Sequence, residues 1–117
     1  MRSTLAVLAL SCLLAVPAHA QRAGTYAVEG SDAAGTAYVG TVQLQPTGPD
    51  TWRLTWRVAG ETTNGVGILQ GGIFVVGYQS GRETGVAMYV PEPNGNLVGL
   101  WTQGTQGSVG SERLLPR

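Results

Sequence analysis

Short apolar stretches separated by turn residues make up the chain from residue 25 onward. The clearest is TWRLTWRV at 51–58, in which apolar and polar residues alternate strictly. That period of two is typical of a strand with one buried face. Seven further stretches have strand-like composition, and no segment keeps a helical period long enough to predict a helix. The predicted strands cover residues 25–30, 37–45, 51–58, 64–70, 73–79, 85–90, 96–102 and 108–115.

The connections between these strands are short and rich in turn residues, as in PTGPD at 46–50 and PEPNG at 91–95. Short connections favour antiparallel neighbours in up-and-down order. Since no helix is predicted to cover a face or an edge, closure of the sheet is the way to remove exposed edges. The sequence therefore predicts an all-β protein, a small up-and-down antiparallel β-barrel of about eight strands.

Three glycines, Gly40, Gly77 and Gly99, stand near the middle of predicted strands. Glycine is normally depleted there, so a bulge, a bend or a close approach by another backbone is expected. A small barrel is strongly coiled, and its strands must bend to close. We therefore expect bends at these positions, with chance placement in a chain of 18 glycines as the alternative.

The first twenty residues have the layout of a secretory signal peptide. Arg2 is followed by an apolar stretch at 5–16 and by small residues at 18 and 20, which predicts cleavage after Ala20. The stretch is too short for a stable membrane span. A lipidated Cys12 is the alternative, although that cysteine lies midway through the apolar stretch. We expect an exported protein, periplasmic or secreted, with a single domain at 21–117.

The predicted mature chain contains no histidine, cysteine or lysine. Catalysis draws mainly on these residues and on carboxylates, and transition-metal sites need His or Cys clusters. Six arginines and seven carboxylates give a net charge of about −1, which predicts no nucleic-acid partner. Six carboxylates fall in or beside predicted turns, and we expect Glu112 to pair with an arginine across the sheet. No enzyme activity, cofactor or metal site is therefore expected, and a carboxylate-only enzyme is the remaining catalytic alternative.

Inward-facing aromatic residues are the candidates for a binding site. On the strand at 51–58, Trp52 and Trp56 share the apolar face, and Trp101 would join them inside the barrel together with some of the tyrosines. These rings either fill the interior, as is usual in small barrels, or line a cup at one mouth that holds one small ligand. The candidate ligand or partner residues are Trp52, Trp56, Trp101, Tyr78 and Tyr89.

Three consecutive predicted strands, at 73–79, 85–90 and 96–102, are apolar on both sides. One apolar set from each must point out of a closed barrel, and neighbouring strands would join these sets into one patch. Monomers seldom expose such a patch, so strands 73–102 are predicted to form an interface, most simply a two-fold homodimer. Coverage by the chain ends or by the PEPNG loop is the alternative.

The order of short motifs along the chain resembles that of a family of small exported bacterial proteins that mostly have no assigned function. The motifs are GTYAV, YVGTVQL, WRLTW, GVGI, VGY, GVAMY, LVGLW and GSERL. The resemblance implies an exported bacterial β-domain. A weaker likeness leads to avidin-type and lipocalin-type barrels, but the polar biotin-binding residues of the avidin type have no counterparts here. The expected function is a non-catalytic binding or interaction domain of the cell envelope, and the alternative is a carrier of a small apolar ligand in an aromatic-lined cavity.

Overall fold

The computed structural model describes residues 21–117, so the predicted signal peptide and Cys12 lie outside the described residues. Eight antiparallel strands follow one another around the sheet, and the last pairs with the first to close a barrel. The predicted up-and-down β-barrel is confirmed. Within residues 21–117 there is no helix long and apolar enough to cross a membrane. The strands are β1 (Gly24–Ser31), β2 (Ala37–Pro46), β3 (Thr51–Val58), β4 (Glu61–Gln70), β5 (Ile73–Ser80), β6 (Glu83–Pro91), β7 (Leu97–Gln103) and β8 (Gly110–Pro116).

The strand boundaries lie within three residues of those predicted, and the largest shift is at the start of β4. This strand begins at Glu61 because a two-residue turn at Ala59 and Gly60 brings Glu61 directly opposite Val58. Both turn residues have positive φ, 52° and 79°, as a two-residue type I′ hairpin turn requires. Ala59 is the non-glycine residue that adopts this conformation in the described part of the chain.

The period of two in β3 is confirmed, since Trp52, Leu54 and Trp56 are buried while Arg53 and Arg57 are exposed. Equivalent inward positions on the other strands fill one end of the barrel, which we call the filled end. It carries the β2–β3, β4–β5 and β6–β7 connections, and the chain segment at Gln21 closes it, where the Gln21 amide contacts the Tyr26 hydroxyl. Across the whole barrel interior, the largest fully buried side chains are Tyr26, Tyr89, Phe74, Leu44, Leu54, Leu97, Leu114, Val28, Val42 and Val76.

Close approach by a neighbouring strand explains two of the three mid-strand glycines. A Cβ atom at Gly40 would collide with the backbone oxygen of Arg57, and one at Gly99 would collide with that of Met88. At Gly77 a Cβ would meet nothing within 4 Å, because this residue faces outward. Steric need therefore accounts for Gly40 and Gly99, and the structure gives Gly77 no such role.

Candidate functional site

A cavity of about 200 Å³ occupies the other end of the barrel, which we call the open end. The β1–β2, β3–β4, β5–β6 and β7–β8 connections lie there. Aromatic side chains form most of the wall, Ala87 forms part of its base, and strand-end polar residues such as Thr63 and Gln103 form the rim. Inward aromatic residues therefore fill the interior at one end of the barrel and line a cup at the other. Each of the two predicted alternatives holds at one end. The aromatic wall residues are Tyr38, Trp56, Tyr78, Tyr89 and Trp101.

Glu112 on β8 points into this cavity, and its side chain is 7% exposed. The Tyr89 hydroxyl donates a hydrogen bond of 2.6 Å to Oε1, and the Trp56 indole N–H donates one of 3.1 Å to the same atom. The Tyr38 hydroxyl donates to Oε2 at 2.6 Å. Burying a carboxylate is costly unless donors replace its hydration, and here three strands supply those donors. The network ties β2, β3, β6 and β8 together across the barrel.

The expected pairing of Glu112 with an arginine across the sheet is wrong. Alternation along β8 turns Gly110, Glu112 and Leu114 inward and Arg113 outward. Arg113 forms an ion pair with Glu29 of β1 instead, at 3.6 Å on the outer surface. The period of two within GSERL, anchored on the apolar Leu114, is the sequence signal that could have placed Glu112 inside.

The tyrosines around Glu112 act as hydrogen-bond donors. Burial, together with the nearby Glu112 carboxylate, raises the pKa of Tyr38 and of Tyr89 well above the usual value. The same two causes raise the pKa of Tyr78 to about 12. Each hydroxyl therefore stays protonated at physiological pH, which is the state that can donate to a carboxylate or to a ligand.

Three wall residues each cover a glycine on the neighbouring strand, directly opposite in register. A Cβ atom on any of these glycines would collide with the covering ring. The rings therefore lie flat along the sheet and leave the middle of the barrel open, an arrangement known from aromatic residues that shield strand glycines. The pairs are Tyr38 over Gly30, Tyr78 over Gly85 and Trp101 over Gly110.

The structure brings four of the five predicted site residues together at the cavity: Trp56, Tyr78, Tyr89 and Trp101. Trp52 lies at the filled end instead, with its ring 6.4 Å from that of Phe74 in an edge-on arrangement. Sequence reasoning missed Glu112 as a site residue and did not single out Tyr38 from the other tyrosines. Tyr38 becomes identifiable only once the register places it opposite Gly30 of β1, which in turn pairs with Glu112 of β8.

Two indole N–H groups, those of Trp52 and Trp101, are buried without a hydrogen-bond partner among the described residues. The Trp101 ring forms part of the cavity wall and lies 6.4 Å from the Tyr38 ring. Between residues 21 and 117, no three His, Cys, Asp or Glu side chains form a group that could hold a metal ion. The site therefore consists of aromatic surface, one buried carboxylate and hydroxyl donors.

Neither a protein-family model nor a curated protein matches the chain. Among solved structures, it is similar to a redesigned β-barrel, with a TM-score of 0.74, 16% identity and coverage of 81% of this chain and 90% of that one. It is also similar to the redesigned barrel mFAP1 bound to DFHBI (TM-score 0.67, 14% identity, 81% and 94% coverage). Apo Caenorhabditis elegans lipid binding protein 8 is more distant, with a TM-score of 0.52, 10% identity and coverage of 81% and 94%. At these identities the likeness shows the barrel fold alone, and membership of an exported bacterial family stays a prediction.

Proposed function

We propose that this protein is a non-catalytic binding barrel whose small-molecule ligand occupies the cavity at the open end. The observation that carries the proposal is the uneven filling of the interior. Large side chains close one end, whereas aromatic rings at the other end are held against the wall around about 200 Å³ of space. Concave, mostly apolar sites with a few convergent polar groups are the usual form of small-molecule sites. The fold supports the proposal, since a barrel of similar fold is bound to DFHBI.

The cavity volume sets the size of the ligand. An apolar cavity of about 150 Å³ in another protein holds one benzene molecule. A cavity of 200 Å³ then suits a compound with a single ring and a short substituent, on the order of eight to ten non-hydrogen atoms. A longer ligand would extend past the rim between the β1–β2 and β7–β8 connections, where Asp32 and Gln103 line a second hollow.

Filling the cavity from its base tests this proposal. Ala87 is 3% exposed and lines the cavity without taking part in the Glu112 network, so Ala87→Leu occupies ligand space with added methyl groups. Val86→Leu, on the same strand but facing outward at 53% exposure, is the matched control. We expect single-ring fragments to change the fluorescence of Trp56 and Trp101 in the wild type and the control, and not in Ala87→Leu. Equal binding by all three proteins, or by none, would contradict the proposal.

Export of the protein is also part of this proposal. It is predicted from the layout of residues 1–20. A binding barrel of the cell envelope would meet its ligand outside the cytoplasm. Intact-mass measurement of the protein recovered from the periplasm or medium should show a chain that starts at Gln21. A retained leader, or a lipid on Cys12, would contradict this part of the proposal.

The outer face of β4–β7 supports a second candidate function, self-association. Four apolar side chains, one from each strand, stand side by side in register and are between 44% and 52% exposed. On the same four strands, the outward positions next to this row carry no charge, and several are apolar, including Val66 and Val86. A second copy of the chain would meet an uncharged, self-complementary face, as a two-fold dimer requires. The row consists of Ile68, Val75, Met88 and Leu100.

Light scattering after size exclusion tests the dimer independently of ligand binding. Met88→Glu places a charge in the centre of the row and should yield monomers, because each copy would bury that charge unpaired. Gln43→Glu, at an exposed position of β2 on the other side of the barrel, is the control and should leave the dimer intact. A monomeric wild type at high micromolar concentration would exclude the interface.

A further inference from the structure

We propose that the ligand is a small organic cation, a protonated amine that donates a hydrogen bond to Oε2 of Glu112 while the aromatic wall encloses its carbon skeleton. This inference rests on the proposed binding of a small molecule at the open end. It adds the sign of the ligand charge and the atom that recognises it.

The charge of the cavity is the first argument. The three groups that donate to Glu112 are two hydroxyls and an indole N–H, all of them neutral. No arginine lines the cavity, and the ion pair found within residues 21–117 joins Arg113 to Glu29 on the outside. Asp32, at the rim, adds a second carboxylate of the same sign. Because a buried charge is costly without a counter-charge, a cation gains more in this cavity than a neutral compound of equal shape.

The hydrogen-bonding capacity of Glu112 is the second argument. A carboxylate offers about four acceptor positions, two on each oxygen. Tyr89 and Trp56 both donate to Oε1, whereas Oε2 accepts from Tyr38 alone. One further donor therefore fits at Oε2. An ammonium N–H suits this position, since a bond between two charged groups is shorter and stronger than one between neutral groups.

The wall is the third argument. Tyr38 and Trp101 pack with ring centroids 6.4 Å apart, and Trp56 and Tyr78 with centroids 5.8 Å apart. Both pairs line the same cavity as Glu112. Tryptophan and tyrosine faces attract organic cations electrostatically and also bury the attached carbon atoms. Aromatic faces combined with a single carboxylate select for an alkyl- or arylammonium ion. An anionic ligand would be repelled, because its charge would lie beside the like charge of Glu112.

A series of three compounds with one ring and different charge tests the inference. Benzylamine is cationic at neutral pH, benzyl alcohol is neutral, and benzoate is anionic. The wild-type protein should bind benzylamine at least about tenfold more tightly than benzyl alcohol, and benzoate most weakly, as judged by calorimetry and tryptophan fluorescence. Glu112→Gln should abolish the preference for the amine while benzyl alcohol still binds. Glu29→Gln removes an outward carboxylate and should leave the preference unchanged.

The comparison within the wild type decides the inference even if Glu112→Gln does not fold. Tyr38→Phe gives a second test, because it keeps the ring and removes the donor to Oε2, so benzylamine should bind at least as tightly as before. Equal affinity for benzylamine and benzyl alcohol, or a preference that survives Glu112→Gln, would overturn the inference and leave the binding proposal standing. If none of the three compounds binds, the inference is also wrong, and the Ala87→Leu comparison with other fragments then decides the binding proposal separately.

Discussion

Removing the Tyr89 hydroxyl measures how much the buried carboxylate contributes to the stability of the barrel. Tyr89→Phe keeps the ring, which is 1% exposed, and deletes the 2.6 Å hydrogen bond to Oε1 of Glu112. Oε1 then keeps a single donor, the Trp56 indole at 3.1 Å. A hydrogen bond to a charged group contributes about 1.5–3 kcal/mol, so we expect Tyr89→Phe to lower the free energy of unfolding by that amount.

Tyr26→Phe is the matched control for this substitution. Tyr26 is also 1% exposed, and its hydroxyl donates at 2.6 Å to the backbone oxygen of Arg22 and accepts a hydrogen bond from the Gln21 amide. A bond between neutral groups contributes about 0.5–1.5 kcal/mol, so each of the two bonds lost in Tyr26→Phe should cost about half as much as the bond lost in Tyr89→Phe. Urea unfolding followed by circular dichroism gives both values, and an unchanged dependence on denaturant would show that the unfolding reaction is the same.

A double-mutant cycle then assigns the difference to Glu112. In a Glu112→Gln background the acceptor is neutral, so the cost of Tyr89→Phe should fall to about 0.5–1.5 kcal/mol. The reasoning would be refuted if, in the wild type, Tyr89→Phe cost no more than half of Tyr26→Phe, which is the share of one neutral bond. It would equally be refuted if the cost of Tyr89→Phe were independent of residue 112.

Three further predictions address the sides of the sheet, the wall and the tyrosines. Trp56→Ala should cost about 3–5 kcal/mol and the exposed Arg57→Ala less than about 0.5 kcal/mol, and equal costs in urea melts would contradict the assignment of inner and outer faces. Gly85→Ala should lower the free energy of unfolding by about 1–3 kcal/mol and weaken fragment binding, because its Cβ displaces the Tyr78 ring. The control Gly77→Ala places its Cβ in open space and should be neutral or slightly stabilising. Burial raises the tyrosine pKa values above their unfolded value of about 10, to about 12 for Tyr78. The stability that these buried, protonated tyrosines provide is therefore fully present below pH 10 and is lost as the pH rises further. Phenolate absorbance should then appear together with unfolding, and gradual titration near pH 10 of an intact barrel would be the contrary result.

The strands and their order could be predicted because both depend on local information. The alternation in TWRLTWRV and the composition of turns such as PEPNG need no knowledge of the rest of the chain. Closure followed from the lack of helices to cover a face or an edge. The part of the outward apolar row on β5–β7 was also predictable, since strands that are apolar on both sides leave one set outside whichever parity holds, whereas Ile68 of β4 was not predicted to belong to it.

The site was harder to predict because it depends on register and on summed side-chain volume. Glu112 stands beside Arg113 in the sequence, which suggested a surface pair, but a shift of one residue in parity decides which of the two points inward. Trp52 and Trp56 have the same local pattern, yet one packs against Phe74 at the filled end and the other lines the cavity. Only their positions along the barrel axis distinguish them, and these positions depend on pairing with β2 and β4.

The distribution of glycine explains why the barrel is open at one end. A barrel of eight strands has a nearly fixed radius, so its interior is filled wherever the inward residues are large. At the filled end these positions hold residues such as Leu44 and Phe74. Towards the open end, three aromatic rings each lie over an inward glycine of the next strand, so two wall positions together contribute the volume of one side chain. The same glycines that let the rings lie flat also remove the volume that would fill the cavity, which makes binding space a direct consequence of the aromatic–glycine pairing.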